Sequence, residues 1–212
     1  MSDAKPRGRF LTLEGIDGAG KSTHLSFIRD WLAHHDVQAV FTREPGGTPL
    51  GEKIRELLLS PDTRASLDAE TLLAFAARQQ HIADVIEPAL ASGQWLVSDR
   101  FTDSTYAFQG GGRGVPFERI RALEEWVQRG LQPDLTLLFD LPLEVAAERM
   151  SGSRVLDRFE QEASDFHQRV REAYLKRAEA EPHRFAVLDS SRSIAAIQDD
   201  IARHLGKLLE TR

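Results

Sequence analysis

The stretch Gly15-Ile16-Asp17-Gly18-Ala19-Gly20-Lys21-Ser22 follows a short apolar run, Phe10 to Leu13, and precedes an amphipathic one. It has the pattern G-x-x-x-x-G-K-[ST], in which glycines let successive backbone N–H groups turn inward around an anion. In this pattern Lys21 reaches the β- and γ-phosphates of a nucleotide, and the hydroxyl of Ser22 binds Mg²⁺. The helix that follows directs the positive end of its dipole at the same phosphates. The stretch therefore predicts a site for a nucleoside triphosphate and Mg²⁺.

The composition is that of an ordinary soluble protein. The chain has 212 residues, of which 41% are hydrophobic and 28% charged, and this length suits one domain over residues 1–212. The net charge of −6 argues against a general nucleic-acid-binding protein, which carries a basic surface. We find no apolar run of membrane-spanning length, no signal-peptide core in residues 1–9 and no cysteine. We therefore expect a cytoplasmic enzyme with no nucleic-acid or membrane partner.

Strand-like and helix-like patterns alternate along the chain. The predicted strands are residues 10–14, 38–42, 95–98, 135–139 and 184–188, and predicted helices between them include residues 49–59, 68–90, 117–129 and 159–181. This alternation predicts an α/β fold of the P-loop NTPase type, with a five-stranded parallel sheet flanked by helices. The glycine-rich residues 109–114 are expected to form a loop, and residues 149–160 a mobile lid. The seven histidines show no metal-ligand spacing and are expected at the surface.

Charged residues follow three of the predicted strands. Ligands of a parallel sheet gather at the carboxyl ends of its strands, so the phosphate loop, Arg43 and Arg100 should face one crevice. Arginine binds phosphate oxygens bidentately, and this pair predicts a second phosphate to be held there. Asp99 closes the third strand, where an aspartate assists Mg²⁺, usually through water. The predicted metal-binding residues are thus Ser22 and Asp99.

The predicted lid is basic, with Arg149, Arg154 and Arg158 within ten residues. Phosphoryl transfer spreads negative charge over the moving group, and arginines carried by a lid can neutralise that charge on closure. The alternative is a solvated loop with no role in the reaction. We predict that Arg154 or Arg158 is catalytic, and the sequence does not choose between them.

Two other classes of nucleotide-binding protein fit the sequence less well. A GTP-dependent switch usually carries the guanine-binding motif N-K-x-D, and this chain contains no asparagine. An ATPase that acts on DNA or membranes through partners is disfavoured by the acidic charge and by the paired arginines opposite the phosphate loop. The remaining alternative is a kinase of the same fold for another pyrimidine nucleoside monophosphate.

Four motifs taken together resemble the bacterial thymidylate kinases. They are residues 13–23, Thr42-Arg43-Glu44-Pro45-Gly46-Gly47, Asp99-Arg100, and Gln109-Gly110-Gly111-Gly112-Arg113-Gly114, in that order along the chain. The resemblance covers residues 10 to 190, and the ordered set is far more specific than any single motif. It implies phosphoryl transfer from ATP to dTMP, which gives ADP and dTDP, with Mg²⁺ in a cytoplasmic homodimer.

The resemblance also implies roles for single residues. Asp17 matches a contact to the sugar 3′-hydroxyl of dTMP, and Arg78 matches the arginine that hydrogen-bonds a thymine carbonyl. Thr105, Phe108 and Gln109 lie where the family lines its nucleoside pocket. The implied ATP-binding residues are Gly15, Ile16, Asp17, Gly18, Ala19, Gly20, Lys21, Ser22 and Thr23. Lys21 and Arg100 are the implied catalytic residues beside the lid arginines Arg154 and Arg158.

The chain departs from the family pattern at one position of the base pocket. The family usually has an aromatic residue four places before the matching arginine, and this chain has Ala74 there, with Phe75 one place later. One residue turns a side chain by about 100° around a helix. Either Phe75 still reaches the base from a shifted helix, or it belongs to the core. The predicted dTMP-binding set is Asp17, Arg43, Phe75, Arg78, Arg100, Thr105, Phe108 and Gln109.

Overall fold

The computed structural model describes residues 6–150 and 157–210. Its centre is a five-stranded parallel sheet with the strand order β2-β3-β1-β4-β5. The strands are β1 (Phe10–Glu14), β2 (Ala39–Arg43), β3 (Trp95–Asp99), β4 (Leu135–Asp140) and β5 (Phe185–Asp189). The α/β fold with a parallel sheet is confirmed, and the strand bounds agree with prediction to within one residue.

Helices connect the strands and cover both faces of the sheet. They are α1 (Lys21–His34), α2 (Pro49–Leu59), α3 (Leu67–His81), α4 (Glu87–Ala91), α5 (Thr102–Thr105), α6 (Phe117–Gln128), α7 (Leu143–Met150), α8 (Ser164–Ala180) and α9 (Ile194–Glu210). Two π-helical segments, Ile82–Ile86 and Tyr106–Gly112, extend α3 and α5. In the described part of the chain we find no helix long and apolar enough to cross a membrane.

Side chains of the central strand alternate between two cores. Leu11 and Leu13 of β1 pack in a cluster with Ile28 of α1 and with residues of α8 and α9. Phe10 belongs to a second cluster with Phe75 of α3 and with residues of β3 and α6. Because β1 is buried along its whole length, its carboxyl end holds the phosphate loop on a rigid base, between the ends of β3 and β4.

The glycine run was predicted as a loop, and that prediction is wrong for Gln109 to Gly112, which are helical. A Cβ on Gly111 would lie 2.5 Å from the Cβ of Ala173, and one on Gly112 would lie 2.4 Å from the ring of Phe166. The glycines therefore let this helix pack directly against α8, and no turn is needed. Helix α8 itself begins at Ser164, five residues later than predicted.

Candidate active site

The phosphate loop connects β1 to α1. Gly15, Gly18 and Gly20 have φ angles of 137°, 80° and 87°, which L-amino acids with side chains rarely adopt. A Cβ on Gly15 would also lie 2.5 Å from the backbone oxygen of Phe139. Lys21, the first residue of α1, is buried and donates to the carbonyl oxygens of Gly15 and Ile16, both at 3.1 Å. The loop thus has the backbone and the lysine that phosphate binding requires.

Lys21, Asp17 and Arg100 form the charged centre of the crevice. Arg100 donates to Asp17 Oδ1 at 2.8 Å, and Lys21 Nζ lies 4.0 Å from the same oxygen. Burial lowers the pKa of Lys21, and the charge of Arg100 lowers it further. Burial raises the pKa of Asp17, but the charges of Arg100 and Lys21 outweigh burial and hold that pKa below its ordinary value. The aspartate is therefore an anion between two cations.

Arg100 is oriented by contacts from three parts of the chain. Its NH1 donates to the carbonyl of Gly15 and to the hydroxyl of Tyr174, both at 3.0 Å, and its guanidinium lies 4.8 Å from the ring centre of Phe108. Its φ of 73° is a left-handed conformation that costs a non-glycine residue energy. The surrounding contacts hold the guanidinium in place against that cost.

Glu14 is a buried acid beneath Arg100. It lies within the first of the four motifs, which gave it no role. Its carboxylate accepts from the backbone N–H of Phe101 at 2.7 Å, from the Ser104 hydroxyl at 2.6 Å and from the Tyr174 hydroxyl at 2.8 Å. Burial, together with the charge of Asp103, raises the pKa of Glu14 to about 7. A charged residue at the end of a mostly apolar strand was the available signal in the sequence.

A second cavity adjoins the phosphate loop on the other side of Arg100. Thr105, Phe108 and Gln109 of the helical segment after β3 line it, together with Arg78 and Phe159. Asp17, Glu44, Arg55 and Arg100 line both this cavity and the phosphate crevice. The two cavities therefore share a charged wall, and an apolar group in one would lie next to phosphates in the other.

Arg78 is buried in the wall of the second cavity. Its Nε donates to Glu44 at 2.8 Å, and its NH2 donates to the carbonyl of Phe101 at 3.1 Å and to the hydroxyl of Thr105 at 3.0 Å. Its NH1 is buried and has no hydrogen-bond partner among the described residues. An unpaired buried donor is costly, so NH1 of Arg78 suits an acceptor atom of a ligand.

Two expectations about this region need correction. Among the described residues, Ala74 lines the cavity and Phe75 does not. Phe75 is 1% exposed in the core, and the guanidinium of Arg78 lies 4.8 Å from its ring centre, so it supports Arg78 and does not contact the base. The histidines are not all at the surface either, because His81 is buried with Nδ1 2.8 Å from Glu44 and Nε2 2.7 Å from Thr42.

Of the two arginines expected to hold the second phosphate, Arg100 lines both cavities, whereas Arg43 lines the phosphate crevice alone. Arg43 lies at the edge of the phosphate crevice, half exposed, and donates to Glu52 at 2.9 Å. Arg55 of α2 lines both cavities and donates to the carbonyl of Pro45 at 2.9 Å. Burial and the nearby charge of Arg43 lower the pKa of Arg55. No motif in the sequence pointed to Arg55, because it lies within an ordinary amphipathic helix.

The predicted metal ligands lie together at the phosphate crevice. Ser22 and Thr23, at the start of α1, are exposed to it, and Asp99 lines it from the end of β3. Asp99 Oδ1 is buried without a hydrogen-bond partner among the described residues. An orphaned carboxylate oxygen in the same crevice as a serine hydroxyl suits Mg²⁺, which prefers oxygen ligands and keeps several waters.

The three arginines of the predicted lid have different settings. Arg149 lines the phosphate crevice and donates to the carbonyl of Ser190 at 3.0 Å. Arg158 pairs with Glu70 beside the second cavity, and the structure does not bring it to Lys21. Arg154 lies outside the described residues, as does half of the predicted lid, residues 151–156.

Comparisons with known proteins point to one family. A family model described as thymidylate kinase matches residues 13–201. A thymidylate kinase from Chromobacterium violaceum is 81% identical over 99% of this chain and 99% of its own length. Those from Thiobacillus denitrificans and Neisseria gonorrhoeae are 61% and 58% identical, over 95% and 93% of this chain and 98% and 96% of their own lengths.

Proposed function

This chain belongs to the thymidylate kinase family, and on that premise we propose that it transfers the γ-phosphoryl group of ATP to dTMP. The products are ADP and dTDP, so the enzyme supplies the second phosphate on the way to dTTP. The observation that carries the proposal is the charged wall that the two cavities share. One cavity has a phosphate-binding loop, and the other has an apolar lining with an unpaired donor, so a nucleoside triphosphate and a nucleoside monophosphate would meet across that wall.

The attacking oxygen belongs to a phosphate that is already anionic, so the reaction needs no general base. Catalysis then depends on positioning and on neutralisation of the charge that spreads over the transferred group. Lys21 and Arg100 both line the phosphate crevice and both donate to the backbone carbonyl of Gly15 in the loop. Asp17 sits between them and contributes a carboxylate that can also accept from the acceptor sugar. We propose Lys21, Arg100 and an arginine of the lid as the catalytic residues.

Ser22 and Asp99 would hold Mg²⁺. The fit rests on the orphaned oxygen of Asp99 and on its place beside the phosphate loop. The ion, when bound, neutralises phosphate charge and orients the triphosphate. Few protein ligands are expected, because Mg²⁺ in such sites is bound by one or two protein groups together with substrate phosphates and water.

We also propose a cytoplasmic homodimer. Helices α2, α3 and α6 pack side by side and carry exposed apolar side chains, namely Leu50, Leu57, Leu72, Phe117 and Trp126. Trp126 is 73% exposed, and exposed large apolar residues on neighbouring helices are typical of a protein interface. Light scattering of the purified protein tests this: we expect twice the 23.8 kDa of the chain, and Trp126→Glu should shift the mass toward the monomer.

An assay of ADP release over a panel of nucleoside monophosphates tests the proposed reaction. We expect kcat/KM to be highest for dTMP among dTMP, dUMP, UMP, CMP, AMP and GMP. Lys21→Ala should abolish turnover of every substrate and thus exclude a contaminating kinase. A clearly higher kcat/KM for CMP or UMP than for dTMP would instead support the alternative of a kinase for another pyrimidine nucleotide.

A further inference from the structure

Glu70 is a buried acid next to the second cavity that the proposed reaction leaves without a role. It lies in the first turn of α3 and is 1% exposed. Its carboxylate pairs with the guanidinium of Arg158, and Arg113 Nε lies 3.7 Å away. Gln109 donates its side-chain Nε2 to Glu70 Oε1 at 2.9 Å. A residue from the cavity wall is therefore bound to an anion that two arginines hold in place.

The carboxylate decides which way the Gln109 amide faces. An ionised carboxylate only accepts hydrogen bonds, whereas a glutamine amide has one donor branch and one acceptor branch. Glu70 therefore has to bind the Nε2 branch, and the opposite rotamer would place two acceptors against each other in a buried site. The branch that remains for the cavity is the carbonyl Oε1 of Gln109.

The cavity then presents a donor and an acceptor. NH1 of Arg78 is the donor without a partner among the described residues, and Oε1 of Gln109 is the acceptor; both side chains line the cavity. Thymine has a matching edge, because its carbonyl accepts and the neighbouring N3–H donates. Cytosine has the inverse edge, with an amino group that donates and an N3 that accepts.

We propose that Glu70 is a positioning residue that sets the orientation of the Gln109 amide and so selects thymine over cytosine. The assignment rests on the proposed function, since it takes dTMP as the acceptor. Arg158 and Arg113 serve the same purpose indirectly by holding the carboxylate. The methyl group of thymine is not involved, so selection between dTMP and dUMP is independent of Glu70.

The variant Glu70→Gln tests this assignment. A glutamine at this position can donate to Oε1 of Gln109, which frees the Gln109 amide to turn its NH₂ group toward the cavity and to pair with N3 of cytosine. We expect the ratio of kcat/KM for dTMP to that for dCMP to fall at least about 10-fold, with the dTMP-to-dUMP ratio unchanged. A matched control is Asp103→Asn, which neutralises another buried carboxylate paired with two arginines; it should leave both ratios unchanged.

Three results would overturn the assignment. They are an unchanged dTMP-to-dCMP ratio in Glu70→Gln, an equal fall of the dTMP-to-dUMP ratio, or an equal effect of Asp103→Asn. If Glu70→Gln does not fold, NMR of the unaltered protein replaces it, with the Gln109 amide signal identified by its loss in Gln109→Leu. We expect one Nε2 proton to be protected from solvent exchange before and after dTMP is added, and rapid exchange would contradict the bond to Glu70. A purified unaltered protein that does not turn over dTMP would instead refute the proposed function.

Discussion

Replacement of Arg55 by methionine should weaken the binding of dTMP much more than replacement of Arg43. Arg55 lines both cavities, and within residues 6–150 and 157–210 its one hydrogen bond is a donation to the carbonyl of Pro45. Most of its N–H groups are thus left for an acceptor phosphate. Its pKa is lowered by burial and by the charge of Arg43, and an arriving anion would relieve both effects.

The magnitude follows from the hydrogen bonds that the variant would lose. A hydrogen bond to a charged group contributes about 1.5–3 kcal/mol, so loss of a two-pronged contact should cost roughly 3 kcal/mol, which corresponds to a Kd about 100-fold higher. Arg43 is 54% exposed and already paired with Glu52 at 2.9 Å. An exposed arginine of this kind contributes up to about 1 kcal/mol, so Arg43→Met should raise Kd by no more than about 5-fold.

Isothermal titration with dTMP and with thymidine measures the effect and controls for folding. Thymidine has the same base and sugar and no phosphate, so Arg55→Met should leave its affinity unchanged if the arginine acts on the phosphate. Weaker binding of thymidine in the same proportion would mean that the variant has damaged the cavity. If Arg43→Met raises Kd for dTMP as much as Arg55→Met does, the argument that the exposed and paired Arg43 contributes less than Arg55 is refuted.

Three further outcomes are expected. Lys21→Ala should lower kcat/KM by an amount that corresponds to several kcal/mol of lost transition-state stabilisation, with an unchanged melting temperature. Near-normal turnover would show that Lys21 has no part in the mechanism. Arg154→Ala should lower kcat more than it lowers dTMP affinity. Arg158→Ala breaks the pair with Glu70 and should mainly raise KM for dTMP. Steady-state kinetics of both variants tests this, and a larger fall in kcat for Arg158→Ala would make Arg158 the catalytic arginine instead. Burial raises the pKa of Glu14 from 4.5 to about 7, so its contribution to stability is present below pH 4.5 and lost as the pH rises through 7. Between pH 5 and pH 8, the free energy of unfolding measured with urea should therefore fall by up to about 3 kcal/mol more in the wild type than in Glu14→Gln. The same fall in both proteins would contradict the raised pKa.

The parts of the site that were predictable depend on local backbone chemistry. The phosphate loop needs three glycines with positive φ followed by a lysine at the start of a helix, and all of these lie within eight consecutive residues. Arg100 and Asp99 were predicted because they directly follow an apolar run, and a parallel sheet brings all strand ends to one edge. In both cases a short segment and the topology suffice to place the residue.

The glycine run and Phe75 were misjudged because tertiary packing decides them. Glycines in series usually indicate a loop, but those at Gly111 and Gly112 are small so that α8 can approach. For Phe75 the sequence left two places open, the base pocket and the core, and the predicted dTMP-binding set included it. Its actual place depends on a second core of residues from β1, β3 and α6, which no local pattern reveals.

The pairing of buried charges is the part that a single sequence cannot predict. Glu44 lies 34 residues from Arg78, and Glu70 lies 88 residues from Arg158. The chain has 33 acidic and 27 basic side chains, so composition permits very many such pairs and a motif selects only a few. Yet these pairs decide which donors and acceptors remain for a ligand: Glu44 occupies Nε of Arg78 and leaves its NH1 unpaired, while Glu70 occupies Nε2 of Gln109 and leaves its Oε1. The motifs therefore indicate that the chain transfers a phosphoryl group. The proposed base selection depends on two carboxylates, of which Glu44 lies in a family motif and Glu70 lies in none.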